Sequence, residues 1–163
     1  MRKRHNMKLY RFSPIVSEKR LIEAVKYVAN QTTRLSRKII GKELPISSLT
    51  VFSHYKKEHE NLVKIVYGLG KLYKEHNGPY IVLKKPIKVG NNLIKYLRIR
   101  KPDPYRVQVG CNDFDVQNYQ SFKTKHLQKN TENLRLLERP EYEMVEFFHP
   151  DFDVLAYVVS KGI

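Results

Sequence analysis

The sequence predicts an α+β fold: an N-terminal helix, then two βαβββ-like modules forming a curved mixed sheet around a cup. Three observations lead there. The hydrophobic period is helical over residues 17–40 and 57–68 and turns to alternation after Gly70. The order strand, helix, further strands occurs twice, beginning near Ser48 and again near Val107. Finally, the stretch from Tyr96 to Tyr105 aligns without a gap on Met144 to Asp153. Both are a strand entering a Pro-Asp pair, and the alignment sets Arg98 opposite Glu146. Two packed copies of one supersecondary unit leave this kind of trace.

Each element has a local reason. Leu21, Val25, Val28, Leu35 and Ile39 keep one face of a helix over 17–40, with Lys19, Lys26, Arg34 and Lys38 elsewhere. Ser17 suits its N-cap, Glu18 its positive start, and Gly41 its stop. Ser48–Ser53 has the β-branched and aromatic content of a short strand. Leu62, Ile65, Val66 and Leu69 mark a second helix over 57–68. Lys71–Glu75 reads as a short strand, and His76-Asn77-Gly78-Pro79 as a turn, because Asn-Gly tolerates positive φ. Tyr80–Leu83 and Leu93–Arg100 are strands around the Gly90-Asn91-Asn92 turn, and 106–116 is a further strand. Asn118–Lys129 is helical, with Phe122, His126 and Leu127 inward. Leu134–Glu138 and Glu143–Phe148 are strands; Val154–Val159 suits a strand and a short helix equally. The division is a basic segment over 1–46 and a paired-module domain over 47–163.

Composition narrows the function classes. A hydrophobic share of 41% in 163 residues excludes a disordered chain. The single cysteine, Cys111, excludes a disulfide framework and a Cys-rich zinc site and suggests a reducing compartment. No apolar run approaches the ~20 residues of a spanning helix. Arg2, Lys3 and Arg4 are followed by no apolar segment and do not read as a signal peptide. The expectation is a cytoplasmic protein with no membrane partner.

The formal charge of +15 is uneven. Residues 1–42 hold twelve Lys/Arg against Glu18 and Glu23, whereas 141–153 is acidic. A second basic stretch runs from Lys84 to Arg106. Such patches neutralise phosphates, so one function class is a nucleic acid-binding module. It would use 1–42 and 84–106, with Lys84, Lys85, Lys88, Arg100, Lys101 and Arg106 as contacts. No RNA-recognition, KH, zinc-finger or double-stranded-RNA motif accompanies the charge.

Residues 48–150, about two thirds of the chain, resemble the vicinal oxygen chelate (glyoxalase-like) superfamily, and within it the YecM-like branch. The residues concerned are Asn77-Gly78-Pro79-Tyr80-Ile81-Val82-Leu83-Lys84-Lys85-Pro86-Ile87, similar to that branch's Asn-Gly-Arg-Pro segment leading to Leu-x-x-Pro, and Phe148-His149-Pro150. The resemblance implies paired modules enclosing four inward ligand positions, commonly His, Glu, His or Gln, and Glu. Carried over, they fall near Ser48 and on Arg98, Asp113 and Glu146; only the last keeps the pattern. A guanidinium offers donors alone and cannot ligate, and Ser48 is a weak ligand. No cofactor is therefore expected. A divalent metal held by Asp113 and Glu146 is the alternative, giving a metal-dependent isomerase or lyase.

In place of a metal, Arg98 is expected to pair with Glu146 and Asp113. This cluster would be structural, or would bind an anionic or carbonyl group of a small-molecule ligand. Glu146, Arg98 and Asp113 are thus the candidate catalytic residues. The resemblance implies isomerase or lyase chemistry, with Glu146 as general base and Arg98 stabilising an oxyanion. His54 and His59 lack the spacing of a helical metal pair and are expected at the surface. Cys111 reads as a buried strand thiol, His149 as a turn residue before Pro150, and most tyrosines as core-margin rings.

Overall fold

A computed structural model describes residues 11–161, so the basic start at Arg2, Lys3 and Arg4 lies outside it. Helix α1 (Glu18–Ile40) begins where Ser17 Oγ accepts the Arg20 N–H at 3.1 Å and ends on Gly41 at φ 77°. Its buried stripe is Leu21, Ala24, Val25, Val28 and Leu35.

The first module comprises β1 (Ile46–Phe52), α2 (Lys56–Tyr67), β2 (Gly70–Glu75), β3 (Pro79–Val89) and β4 (Asn92–Arg100). The second comprises β5 (Gly110–Phe114), α3 (Tyr119–His126), β6 (Leu134–Glu138), β7 (Glu143–Phe147) and β8 (Val154–Val159). All eight strands form one sheet, ordered β2-β3-β4-β1-β5-β8-β7-β6. Each module therefore places its fourth strand beside its first and its second at the edge. β1 pairs parallel with β4, β5 parallel with β8, and the modules meet at an antiparallel β1–β5 junction with Thr50 opposite Cys111. The curved mixed sheet and the repeated βαβββ order are as the sequence predicts.

The gapless residue match that suggested the repeat is corrected. Arg98 lies on β4, the fourth strand of its module, whereas Glu146 lies on β7, the third strand of the other. The strand matching β4 is β8, where Tyr157 stands opposite Asp113 as Arg98 stands opposite Thr50. Pro-Asp ends strands of any kind, because Pro cannot donate to a ladder and Asp favours turns, so the match joined two different strand ends. Smaller differences concern lengths. The strand expected over 106–116 is confined to Gly110–Phe114, and the helix over 118–129 stops at His126 before a 3-10 turn at Gln128–Asn130.

Alternation sends Leu49, Val51, Leu97, Ile99, Val145, Phe147, Ala156 and Val158 into the main core with α1, Leu62 and Val66 of α2, and Phe122 of α3. A separate small cluster, Phe52, Cys111 and Leu155, is edged by Phe148 and Tyr157 on the opposite face. The helices thus cover one side of the sheet, and the other is the open cup. At the junction, a Cβ on Gly110 would sit 2.2 Å from the Thr50 carbonyl oxygen, so the two central strands meet only through glycine.

Candidate functional site

The cup floor is built from register. Arg98 on β4 has Thr50 of β1 on one side and Tyr80 of β3 on the other. Its Nε–H donates to Thr50 Oγ1 at 3.1 Å and its Nη1–H to the His76 carbonyl at 3.0 Å. The Tyr80 ring lies 5.1 Å from the guanidinium carbon, and Lys74 Nζ is 5.0 Å from the same ring. The His76 carbonyl reaches Arg98 because the turn closes tightly: Gly78 sits at φ 110°, where a Cβ would be 1.9 Å from the Ile99 oxygen. Among the described residues, no carboxylate lies within ion-pairing distance of Arg98.

Asp113, in register with Ser48, accepts the Ser48 Oγ–H at 3.3 Å. Burial pushes its carboxyl up to about 6, against the opposing pull of Arg98, Ser48 and Lys74. Cys111 is a free buried cysteine, and burial pushes its thiol to about 11. That suits a small core side chain and not a nucleophile at neutral pH. Tyr80 is raised to about 12, also by burial, so its hydroxyl keeps its proton.

Glu146 does not pair with Arg98, contrary to expectation. β1, β5 and β8 stand between β4 and β7, a span of roughly 19 Å along a sheet with ~4.8 Å between strands. Instead, Arg135 Nε–H donates to Glu146 Oε1 at 2.6 Å and the Tyr157 hydroxyl to Oε2 at 2.9 Å. Glu146 is only 3% exposed, and both of its oxygens are engaged. Of the three candidate catalytic residues, Arg98 and Asp113 adjoin and Glu146 stands apart in a pair of its own.

The donor set does not fit a divalent cation. Asp113 lies within the field of two cations, Arg98 and Lys74, and Glu146 is occupied by Arg135 and Tyr157. Among the described residues there is no cluster of three or more His, Cys, Asp or Glu with metal-binding geometry. A cavity of about 210 Å³ opens beside β5, lined by Ser47, Asp113, Gln117, Tyr119 and Ser160. It is smaller than the ~300–1,000 Å³ usual for ligand pockets, so the cup is the better candidate.

The histidines need correction as well. His54 is 2% exposed, not at the surface: its Nδ1 faces Ser13 Oγ at 2.7 Å and its Nε2 the Gln108 carbonyl at 3.1 Å. Those partners assign Nε2–H as donor and Nδ1 as acceptor, and burial lowers its pKa. Glu58 accepts the backbone N–H groups of His54 and Ile15, each at 2.7 Å, clasping the segment before α1 to the start of α2. The signal was a Glu at the third position of a helix, which reaches back to free N–H groups as in a capping box. His59 is half-buried, with Nδ1 at 3.1 Å from both Ser53 Oγ and the Arg100 carbonyl. His149 accepts the Asp151 N–H at 3.0 Å and packs edge-on against Phe152, as a turn residue should.

The proposed nucleic-acid contacts are dispersed. Lys84, Lys85 and Lys88 are exposed on β3, and Lys101 is exposed beyond β4. Arg100 stacks over Phe52 at 4.8 Å on the cup face, and Asp103 draws Arg100 and Arg106 to 3.8 and 3.9 Å. Sequence reasoning missed Thr50, Lys74, Tyr80 and the His76 carbonyl as the setting of Arg98.

Neither family models nor curated proteins give a match to this sequence. Among solved structures, one described as "Structural Genomics, Protein EC4020" superposes with a TM-score of 0.67 at 10% identity, covering 91% of this chain and 89% of that one. At that identity the likeness establishes the fold alone. Among the described residues, no helix is long and apolar enough to cross a membrane.

Proposed function

We propose that this protein is a small-molecule-binding domain of the glyoxalase-like type, without a metal at its centre, and that the cup receives an anionic or carbonyl group on Arg98. The observation that carries this reading is Arg98 itself. It is oriented by Thr50, the His76 carbonyl and Tyr80, yet has no carboxylate partner among the described residues. A pre-oriented guanidinium without an ion-pair contact offers paired donors to a carboxylate or phosphate. Asp113, with a carboxyl titrating near 6, is the neighbouring group suited to proton exchange. For the isomerase or lyase chemistry implied by the resemblance, Asp113 therefore replaces Glu146 as the acid–base candidate. A single basic surface joining 1–42 to the cup is disfavoured, because α1 lies on the helix-covered side of the sheet.

The test is titration of the purified chain with sodium phosphate, acetate and pyruvate, followed by thermal shift and NMR. At least one anion should raise the melting temperature of the wild type, and Arg98→Met should abolish the shift. No shift with any of the three, or an equal shift in Arg98→Met, overturns the proposal.

A further inference from the structure

Resting on that reading, we infer that the cup's ligand is an aromatic phosphate of the nucleoside monophosphate kind. Its phosphate would lie between Lys74 and Arg98 and its base on the pair formed by exposed Tyr73 and half-buried Tyr96. The register puts Lys71, Val82 and Tyr96 in one row across β2, β3 and β4, and Lys74, Tyr80 and Arg98 in the next. Tyr73 and Tyr96 have ring centroids 5.6 Å apart at 55°, and Lys74 Nζ is 5.9 Å from the Tyr73 ring. Tyr73 remains 47% exposed and Val82 beside the pair 37%, so an apolar, aromatic floor is left uncovered.

The charge on the strands beneath this floor is mostly positive, and Asp113 of β5, on the far side of Arg98, is the one carboxyl that acts on it and on Lys74. β1, β3 and β4 contain no acid, and the acid of β2, Glu75, pairs with Pro79, outside the Lys74–Tyr80–Arg98 row. Lys71, Lys74 and Arg98 together carry more charge than one carboxylate needs, which favours a dianionic phosphate. Base–aromatic stacking tolerates any base, since each has a π-face. Tyr96 and Arg98 are two residues apart on one strand, about 7 Å. That is comparable to the reach of a ribose between its 5′-phosphate and its base. A nucleic acid strand is the lesser fit, because the α1 cations that would extend a track lie across the sheet.

Calorimetry with AMP, ribose 5-phosphate, adenosine and oligo(dA) of increasing length tests this on the full chain. AMP should bind at least tenfold more tightly than ribose 5-phosphate. Tyr73→Ala/Tyr96→Ala should erase that advantage while leaving ribose 5-phosphate binding unchanged, and a melting curve of the double variant confirms that it folds. If AMP and ribose 5-phosphate bind equally, and both need Arg98, the stacking inference fails while the anion site stands. If neither AMP nor ribose 5-phosphate binds the wild type, the mononucleotide inference fails, whereas the anion site fails only if acetate and pyruvate leave the melting temperature unmoved as well. Affinity that climbs steadily with oligo(dA) length overturns the mononucleotide in favour of a strand.

Discussion

In the first module, the strands carry Lys71, Lys74, Lys84, Lys85, Lys88, Lys95, Arg98 and Arg100 against Glu75. In the second, they carry Asp113, Glu138, Glu143 and Glu146 against Arg135. Topology is shared; charge is opposed. The use made of the charge also differs. Glu146 is held by Arg135 and Tyr157, and Glu143 by Lys123 at 2.7 Å and the Tyr119 hydroxyl at 2.9 Å. Arg98 has only neutral partners. The glutamates of β7 are thus engaged within their own module, whereas Arg98 of the first module has no ion-pair contact in the cup.

The largest expected effect follows from that division. Arg98→Met should weaken binding of whichever anion the wild type takes up by about 100-fold, or ~3 kcal/mol, because charge-assisted hydrogen bonds are lost. It should cost about 1 kcal/mol of stability, since no ion pair is broken and Asp113, which loses the pull of Arg98, can take up a proton instead. A stability loss near 3 kcal/mol in urea denaturation would instead make Arg98 a structural cation like Arg135, and the contrast between the halves would collapse.

Asp113 belongs to the second module by sequence but faces the cations of the first. Its folded-state pKa, raised from 3.8 to about 6, means the folded protein holds this proton longer than the unfolded chain does. Stability should therefore fall as pH rises from about 4 to 6, with the full penalty, of the order of 3 kcal/mol, present above 6. Asp113→Asn should recover that amount at pH 7.5 and flatten the 4–6 window in pH-dependent unfolding. An unchanged profile in the variant would mean the desolvated carboxyl is not the titrating group. Binding of pyruvate, whose own charge is constant in this window, should likewise strengthen below pH 6 in the wild type, as the neighbouring negative charge disappears.

Glu146→Ala tests the other half. The Tyr157 hydroxyl would lose its acceptor in a buried setting, whereas Arg135, whose side chain is 58% exposed, would return to water. A loss of about 2 kcal/mol is expected, with anion binding unchanged. Glu146→Gln, which keeps an acceptor for Tyr157, should lose less. A binding defect in Glu146→Ala equal to that of Arg98→Met would restore Glu146 to the site.

What could be read from the sequence follows from how local each signal is. The Ser17 cap, the Gly41 stop and the 21–25–28–35 stripe are decided within one helix, and the Asn77-Gly78 turn within four residues. The repeated order of elements needed only periodicity. Partnerships in the cup depend on register between strands distant in sequence, and no local signal carries that. Arg98 and Asp113 were found as inward positions, but Thr50, Lys74 and Tyr80 around Arg98 were not. Glu146 lies on the strand expected for it, but its match to Arg98 fails because a Pro-Asp ending marks any strand's end, here the third strand of one module and the fourth of the other. His54 was misjudged since its burial depends on Ser13 and Gln108, far along the chain on either side.

The smallest effect concerns the junction where the modules meet. On the core face of β1, Leu49 is apolar and fully buried; its partner on β5 is Asn112, 1% exposed, and among the described residues neither its amide nitrogen nor its oxygen has a hydrogen-bond partner. A buried amide without partners carries its desolvation cost uncompensated. Asn112→Val replaces it with a β-branched side chain suited to a central strand and should raise stability by about 1 kcal/mol in urea denaturation. The cup is on the opposite face, so anion affinity should not move. A loss of stability would show that the second module, even in its core, relies on a polar group where the first relies on leucine.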